Sequence, residues 1–124
     1  MRSPQQQAGG ETERDAEAML VTHGLRTVMR NFNCRAGEID LVMLDGDYLV
    51  FVEVRLRSNP AYVSGLESID YRKQAKIIRA AQVFLHSHPA YSQHFCRFDV
   101  VASPHPSASA EQLTWIKNAF QVTA

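Results

Sequence analysis

From Gly37 to Arg57 the chain reads GEIDLVMLDGDYLVFVEVRLR, two apolar runs joined by Asp45-Gly46-Asp47. An Asp-Gly step between alternating apolar stretches is a strong local signal for a β-hairpin. Side chains along a strand point to alternate faces. The second run therefore separates into Tyr48, Val50, Val52, Val54 and Leu56 on one face and Leu49, Phe51, Glu53, Arg55 and Arg57 on the other. In the first run Glu38, Asp40, Val42 and Leu44 share a face, and Ile39, Leu41 and Met43 share the opposite one. A two-residue turn at Gly46-Asp47 pairs Asp45 with Tyr48, Leu44 with Leu49, Val42 with Phe51, Asp40 with Glu53 and Glu38 with Arg55. A slip of one residue opposes Asp40 to Val52 and mixes charged with apolar positions along the ladder, so the pattern selects the first register.

The flanking segments supply the other layers. Glu11 to His23 predicts a helix with acidic residues in its first turn, an apolar stripe of Ala16, Met19, Leu20 and His23, and Gly24 placed to end it. Leu25 to Asn33 alternates as a strand and runs into a loop at Asn33-Cys34-Arg35-Ala36-Gly37. After Arg57, SNPAYVSGLES is a loop of the length and composition of a binding loop. Asp70 opens a second helix that runs to His88 and stops at Pro89, with Ile77, Ala81, Phe84 and Leu85 on its core face and Ile78 at the margin. Cys96 to Ala102 is a further strand. SPHPSASAEQ is a turn-rich linker, Leu113 to Lys117 is a last short strand, and Asn118-Ala119-Phe120 packs the end. The order helix, three strands, helix, two strands predicts an α/β domain with a mixed sheet and helices on its faces.

Composition narrows this reading. The chain has 124 residues, which predicts one domain over residues 11–124 behind a disordered lead-in at residues 1–10. No apolar run reaches the length of a membrane span, and MRSPQQQAGG lacks the apolar core of a secretory signal. Two cysteines, Cys34 and Cys96, have no metal-type spacing. The expectation is a reduced cytoplasmic protein with no membrane attachment. Net charge is zero, which argues against a non-specific nucleic-acid coat. The charges are nonetheless segregated. Acids crowd the first helix, and Arg72, Lys73, Lys76 and Arg79 crowd the second, where Arg72, Lys76 and Arg79 form one stripe. Such a stripe is ordinarily a solvated face, with phosphate binding as the minority reading. His86, His88 and His94 read as surface histidines.

The sharpest chemical feature is the pair Asp40 and Glu53. In the selected register their Cβ atoms lie roughly 5 Å apart on one face. Like charges so placed destabilise the sheet, and one stays protonated unless a cation intervenes. A divalent metal or a neighbouring Arg or Lys would resolve the conflict. By pattern alone the commoner outcome is a solvated polar sheet end with Glu38–Arg55 and Glu53–Arg55 ion pairs. Glu13, read the same way, is a helix-start charge.

Asp40 followed after the hairpin by Glu53-Val54-Arg55 resembles the Asp…(Asp/Glu)-x-Lys signature of restriction-endonuclease-like nucleases, a group that includes Holliday-junction-resolvase-like enzymes. More closely, RNFNCRAGEIDLVMLDGDYLVFVEVRLR is similar to the core block of the YraN-like family of uncharacterised bacterial proteins. The likeness runs from Gly10 to Phe120. It takes in the Glu13 helix, Gly24, Arg30-Asn31, Gly65, Lys73-Gln74, Arg97-Phe98-Asp99-Val100-Val101 and Asn118-Ala119-Phe120. The resemblance implies a three-layer restriction-endonuclease-like domain and a metal-dependent endonuclease that hydrolyses phosphodiester bonds in branched or structured DNA. Asp40 and Glu53 would hold Mg²⁺ or Mn²⁺ with the Val54 carbonyl, polarising a phosphate and activating water. It also implies Glu13 reaching the site from the first helix and Gln74 acting from the second, in a fold compatible with a homodimer, and the candidate nucleic-acid contacts are the basic residues Arg57, Arg72, Lys73, Lys76 and Arg79. Two departures stand out. Arg55 replaces the signature lysine, so it can clamp phosphate but cannot shuttle a proton, and Thr12 replaces a glycine just before Glu13. The other readings are a nucleic-acid-binding module that no longer cuts and an assembly protein in which Asp40 and Glu53 pair only with Arg55 and Arg57.

Overall fold

A computed structural model describes residues 4–56, 69–105 and 108–122, with side chains described from residue 10 onward. The elements are α1 (Pro4–Thr22), β1 (Arg26–Cys34), β2 (Gly37–Asp45), β3 (Tyr48–Leu56), α2 (Tyr71–Ser87), β4 (Phe95–Ser103) and β5 (Thr114–Phe120). The strands form one sheet in the order β1-β2-β3-β4-β5. All neighbours are antiparallel except β3 and β4, which run parallel. A parallel neighbour needs a crossover rather than a hairpin, and α2 lies in that crossover. Residues 57–68, with Arg57, Gly65 and the expected binding loop, fall outside the described residues.

Both faces of the central strands are apolar, so both need a cover. On one face Leu41, Met43, Val50, Val52 and Val101 pack with Ala16 and Leu20 of α1. On the other, Val42, Leu49, Phe51, Phe98 and Val100 pack with Ile77, Ala80, Ala81 and Phe84 of α2. The result is a helix–sheet–helix sandwich, the three-layer arrangement expected of the pattern. Val50 and Val52 against Leu49 and Phe51 divide between the layers as the period of two predicts.

The helix ends follow from local chemistry. The Asp70 carboxylate accepts from Lys73 N at 2.9 Å, an N-cap for α2. Gly24 closes α1 at φ +95°. Its N–H donates to Val21 O at 3.0 Å and that of Leu25 to Leu20 O at 3.1 Å, the paired bonds of a Schellman end. No atom lies within 4 Å of a Cβ added at Gly24, so the strain of a side chain there is purely backbone. Gly24→Ala is expected to cost about 1 kcal/mol, seen as a melting temperature several degrees lower at unchanged far-UV circular dichroism.

Several expectations change. Backbone is helical from Pro4, where composition suggested a lead-in up to residue 10. A proline at the helix start and the following glutamines suit a first turn. The acids of residues 11–17 therefore sit mid-helix, not in its first turn. His23 lies outside the apolar stripe, exposed, with its ring 5.6 Å from Trp115. The β1–β2 connection is a tight turn at Arg35-Ala36 with Cys34 paired to Gly37, not a five-residue loop. Ile39 belongs to the α2-side core with Val42, not to the face of Leu41 and Met43. His88 is half-buried because it stacks on Phe84 at 4.1 Å, whereas His86 is exposed as expected. His94 is also half-buried, 5.6 Å from the Tyr91 ring.

Candidate metal centre on the central hairpin

The β2–β3 ladder runs from Asp45–Tyr48 through Leu44–Leu49, Met43–Val50 and Val42–Phe51 to Leu41–Val52, in the expected register. Asp40–Glu53 and Glu38–Arg55, next in that series, are not among its paired positions. Instead the Asp40 carboxylate takes a backbone donor for itself, with Oδ2 accepting from Val54 N at 2.8 Å. Ile39 changes face at the same place, so β2 leaves its alternation at Asp40. The two acids are thus joined by a different route from a flat cross-strand pair.

Both carboxyls are buried, Asp40 at 9% and Glu53 at 5% exposure. Burial raises the pKa of each. For Asp40 the Val54 N–H opposes that rise and the charge of Glu38 adds to it. For Glu53 the Asp40 charge adds to burial and pushes the group up to about 8. Asp40, with a backbone donor aimed at it, is the better seat for the negative charge, and Glu53 is the group that keeps a proton. Glu13 from α1 lies close enough to lower the Asp40 pKa, and Asp40 close enough to raise that of Glu53 on β3. Side chains of α1, β2 and β3 therefore bear on one another around the Asp40 carboxyl.

Two cations stand beside them. Arg55 Nη1 is 3.7 Å and Lys73 Nζ 3.6 Å from Glu53 Oε1. Both exceed the length of a strong charge-assisted hydrogen bond, and they offset only part of the burial cost of Glu53. By sequence Lys73 belongs with the basic residues of the second helix. The structure turns it toward the carboxylates, while Arg72, Lys76 and Arg79 remain exposed. Gln74 directs its amide nitrogen to Ile69 O at 3.1 Å, holding the chain as it enters α2.

Beside Glu13 opens a pocket of about 190 Å³ lined by Gly10, Glu13, Arg14, Glu17, Arg30, Asn31 and Leu41. Glu17 is already engaged there, accepting from Arg30 Nε at 2.9 Å and from the Thr27 hydroxyl. Asn31 also belongs to this site, although the alternation of β1 assigns it no role. It sits in the left-handed region at φ 53° in the middle of β1. With its amide nitrogen facing the acids, it donates to Glu13 at 3.0 Å and to Glu38 at 3.3 Å. The backbone conformation has no signature in the periodicity, and only Asn31's enrichment for that region hinted at it.

Among the described residues no group of three or more Asp, Glu, His or Cys side chains stands ready as a ligand cluster. The donors on offer are the Asp40–Glu53 pair. That set suits Mg²⁺ or Mn²⁺, since Mg²⁺ binds through one or two carboxylates and keeps several waters. A buried carboxyl held at a pKa of about 8 next to a carboxylate is also what a divalent cation would relieve, by displacing the proton.

The arrangement defines a class before it defines a member. A mixed five-stranded sheet between two helices, with paired acids on its central hairpin, is a restriction-endonuclease-like three-layer domain. The chain belongs to the uncharacterised protein family UPF0102, which residues 12–102 match. It is 54% identical over 112 residues to a UPF0102 protein of Stutzerimonas stutzeri, covering 87% of this chain and 92% of that one. It is 50% identical over 119 residues to a UPF0102 protein of Pseudomonas syringae pv. syringae, covering 96% and 97%. A UPF0102 protein of Pseudomonas putida is 46% identical over 114 residues, covering 92% and 93%. Among the described residues no helix is long and apolar enough to cross a membrane.

Proposed function

We propose that the protein is a divalent-metal-dependent endonuclease that hydrolyses phosphodiester bonds in structured or branched DNA. The observation that carries this reading is the buried Asp40–Glu53 pair, both pushed toward the protonated state and flanked by Arg55 and Lys73. Burying two carboxyl groups side by side is costly even with cations beside them, and active sites are where such shifts gather. Asp40 and Glu53 would hold Mg²⁺ or Mn²⁺, which when bound polarises the scissile phosphate and lowers the pKa of water.

The remaining roles fall to the chain's own side chains. Arg55, permanently charged, grips the non-bridging phosphate oxygens through two N–H donors and stabilises the charge that builds there. Lys73 brings to the same carboxylate the ammonium that position 55 lacks, and its N–H groups can orient a water. Glu13, which acts on the Asp40 carboxyl from α1, steers its direction. Arg72, Lys76 and Arg79 on the exposed face of α2 attract the phosphate backbone flanking the cut.

The test is cleavage of labelled linear duplex, single strand, flap and four-way junction, with Mn²⁺, with Mg²⁺ and with chelator. Wild type should cut only with metal, and Asp40→Ala should reduce cutting to background. Cutting that survives Asp40→Ala removes the site. Salt-sensitive junction binding that depends on Arg72, Lys76 and Arg79, without cutting in any metal, identifies a binding module on a nuclease fold instead. Arg55 in place of lysine is the observation that keeps that reading alive.

A further inference from the structure

We infer that Asn31 is the positioning residue of this metal centre, holding Glu13 so that Glu13 in turn aims Asp40 at the ion; the inference rests on the metal-site reading above. Two independent features single out Asn31. The first is backbone. Its φ of 53° interrupts an extended strand, a conformation that costs a non-glycine residue energy and persists where the surroundings demand it. The register across β1 and β2 pairs Arg30 with Leu41 and Phe32 with Ile39. That brackets Asn31 opposite Asp40, the point where β2 also leaves its alternation. The second is side chain. The amide nitrogen, oriented by its hydrogen bonds, donates to Glu13 Oε2 at 3.0 Å and Glu38 Oε1 at 3.3 Å.

The left-handed turn of the backbone and the double donation have one consequence. An extended residue at this position would send its side chain to one face of the sheet in step with its neighbours. The kink lets the amide of an edge strand reach an acid of α1 and an acid of β2 together. Glu13 then stands beside Asn31, which the register sets opposite Asp40, and is near enough to Asp40 to lower its pKa. Partners of this kind, one bond removed from the ligands, set ligand orientation and commonly account for 10–100-fold of metal affinity. Asn31 touches neither ion nor substrate in this scheme. Its role is carried wholly through Glu13.

Asn31→Gly separates this role from a purely structural one, because glycine adopts a φ near +53° without steric cost yet removes the amide. The measurement is Mn²⁺ titration by calorimetry on the full chain, together with the melting temperature in chelator. The expected result is Mn²⁺ affinity about tenfold weaker, with a metal-free melting temperature equal to or above that of wild type. In a Glu13→Ala background the same substitution should add no further loss. Wild-type affinity in Asn31→Gly overturns the inference and leaves the metal site standing. An equal loss with and without Glu13 also overturns it, since the effect then bypasses Glu13. Absence of Mn²⁺ binding by wild type itself overturns the metal-site reading and this inference with it.

Discussion

Glu53→Gln is expected to make the metal-free protein more stable than wild type above a pH of about 8, while removing metal-dependent cleavage. The sign follows from proton linkage. The Glu53 carboxyl is raised from 4.5 to about 8 in the folded protein. The folded state therefore binds the proton more tightly than the unfolded chain. The stability this contributes is complete below the unfolded value and drains away as pH rises to about 8, at about 1.4 kcal/mol per pH unit across that window. Asp40 is shifted in the same direction and adds to the slope. A glutamine at 53 keeps the volume and does not titrate, so only the Asp40 contribution remains and the variant's stability should fall less steeply over the same range. Melting curves in chelator at several pH values between 5 and 9 read this directly. A wild-type melting temperature that climbs from acid to pH 8 would contradict the burial argument. With Mn²⁺ the order should reverse. On the proposed metal site, wild type should gain stability as the ion takes the place of the proton, whereas Glu53→Gln should gain little. Loss of the ion's charge stabilisation, several kcal/mol, corresponds to about 10³-fold in cleavage rate.

Asp99→Ala is the second large effect, and it concerns the fold rather than the chemistry. Asp99 is fully buried on β4. Oδ1 accepts from Arg97 Nε and from Asn118 N, and Oδ2 from Arg97 Nη2 and from Trp115 Nε1, all at 2.9 Å. Arg97 also reaches Asp45 Oδ2 at 2.9 Å and lies over the Tyr48 ring at 5.4 Å. One carboxylate thus ties β4 to the β2–β3 turn and to β5. Around it the β4–β5 register slips between Phe98–Phe120 and Val100–Ile116, and Asn118 takes φ 52°. Removing the carboxylate leaves an indole N–H and a backbone N–H without this acceptor, and leaves a partly buried guanidinium with Asp45 as its remaining carboxylate. Breaking a buried pair of this sort costs about 3–5 kcal/mol. For a domain of this size that is a fall of roughly 10–20 °C in melting temperature. A fall of only a degree or two in thermal denaturation would show that water replaces the lost acceptor at little cost. Asp99 lies in none of the carboxylate contacts around Asp40, so Mn²⁺ binding below the lowered transition should persist.

The two acids at the centre of these predictions differ in how far they could be read from the chain. Alternation and the Asp45-Gly46-Asp47 turn determined the β2–β3 hairpin, its register up to Leu41–Val52 and the apolar character of both faces. These depend on neighbours in sequence and on a period of two. Asp70 as a cap, Gly24 as a stop and Pro89 just beyond α2 were legible for the same reason, since each acts within one turn of chain. That Asp40 and Glu53 lie close together was legible too, because a hairpin brings its own arms into contact.

What only the tertiary structure decided is everything that depends on a partner distant in sequence or on a break in period. Alternation assumes an unbroken strand, so it placed Asp40 opposite Glu53 and Ile39 beside Leu41. The Val54 N–H captures the Asp40 carboxylate and β2 departs from its period there, moving Ile39 to the other core. Charge counting put Lys73 with the solvated basic residues. The packing of α2 on β2 and β3 determines which of its basic residues faces inward, and it selected Lys73. The left-handed turn at Asn31 and the capture of four donors by Asp99 were likewise invisible. Neither has a periodic signature, and each arises because a buried polar group must find partners wherever the fold brings them. The sequence by itself determined the layers and the acidic pair. Which groups orient that pair, and which cations face it, was settled only when α1, β1 and α2 closed around the hairpin.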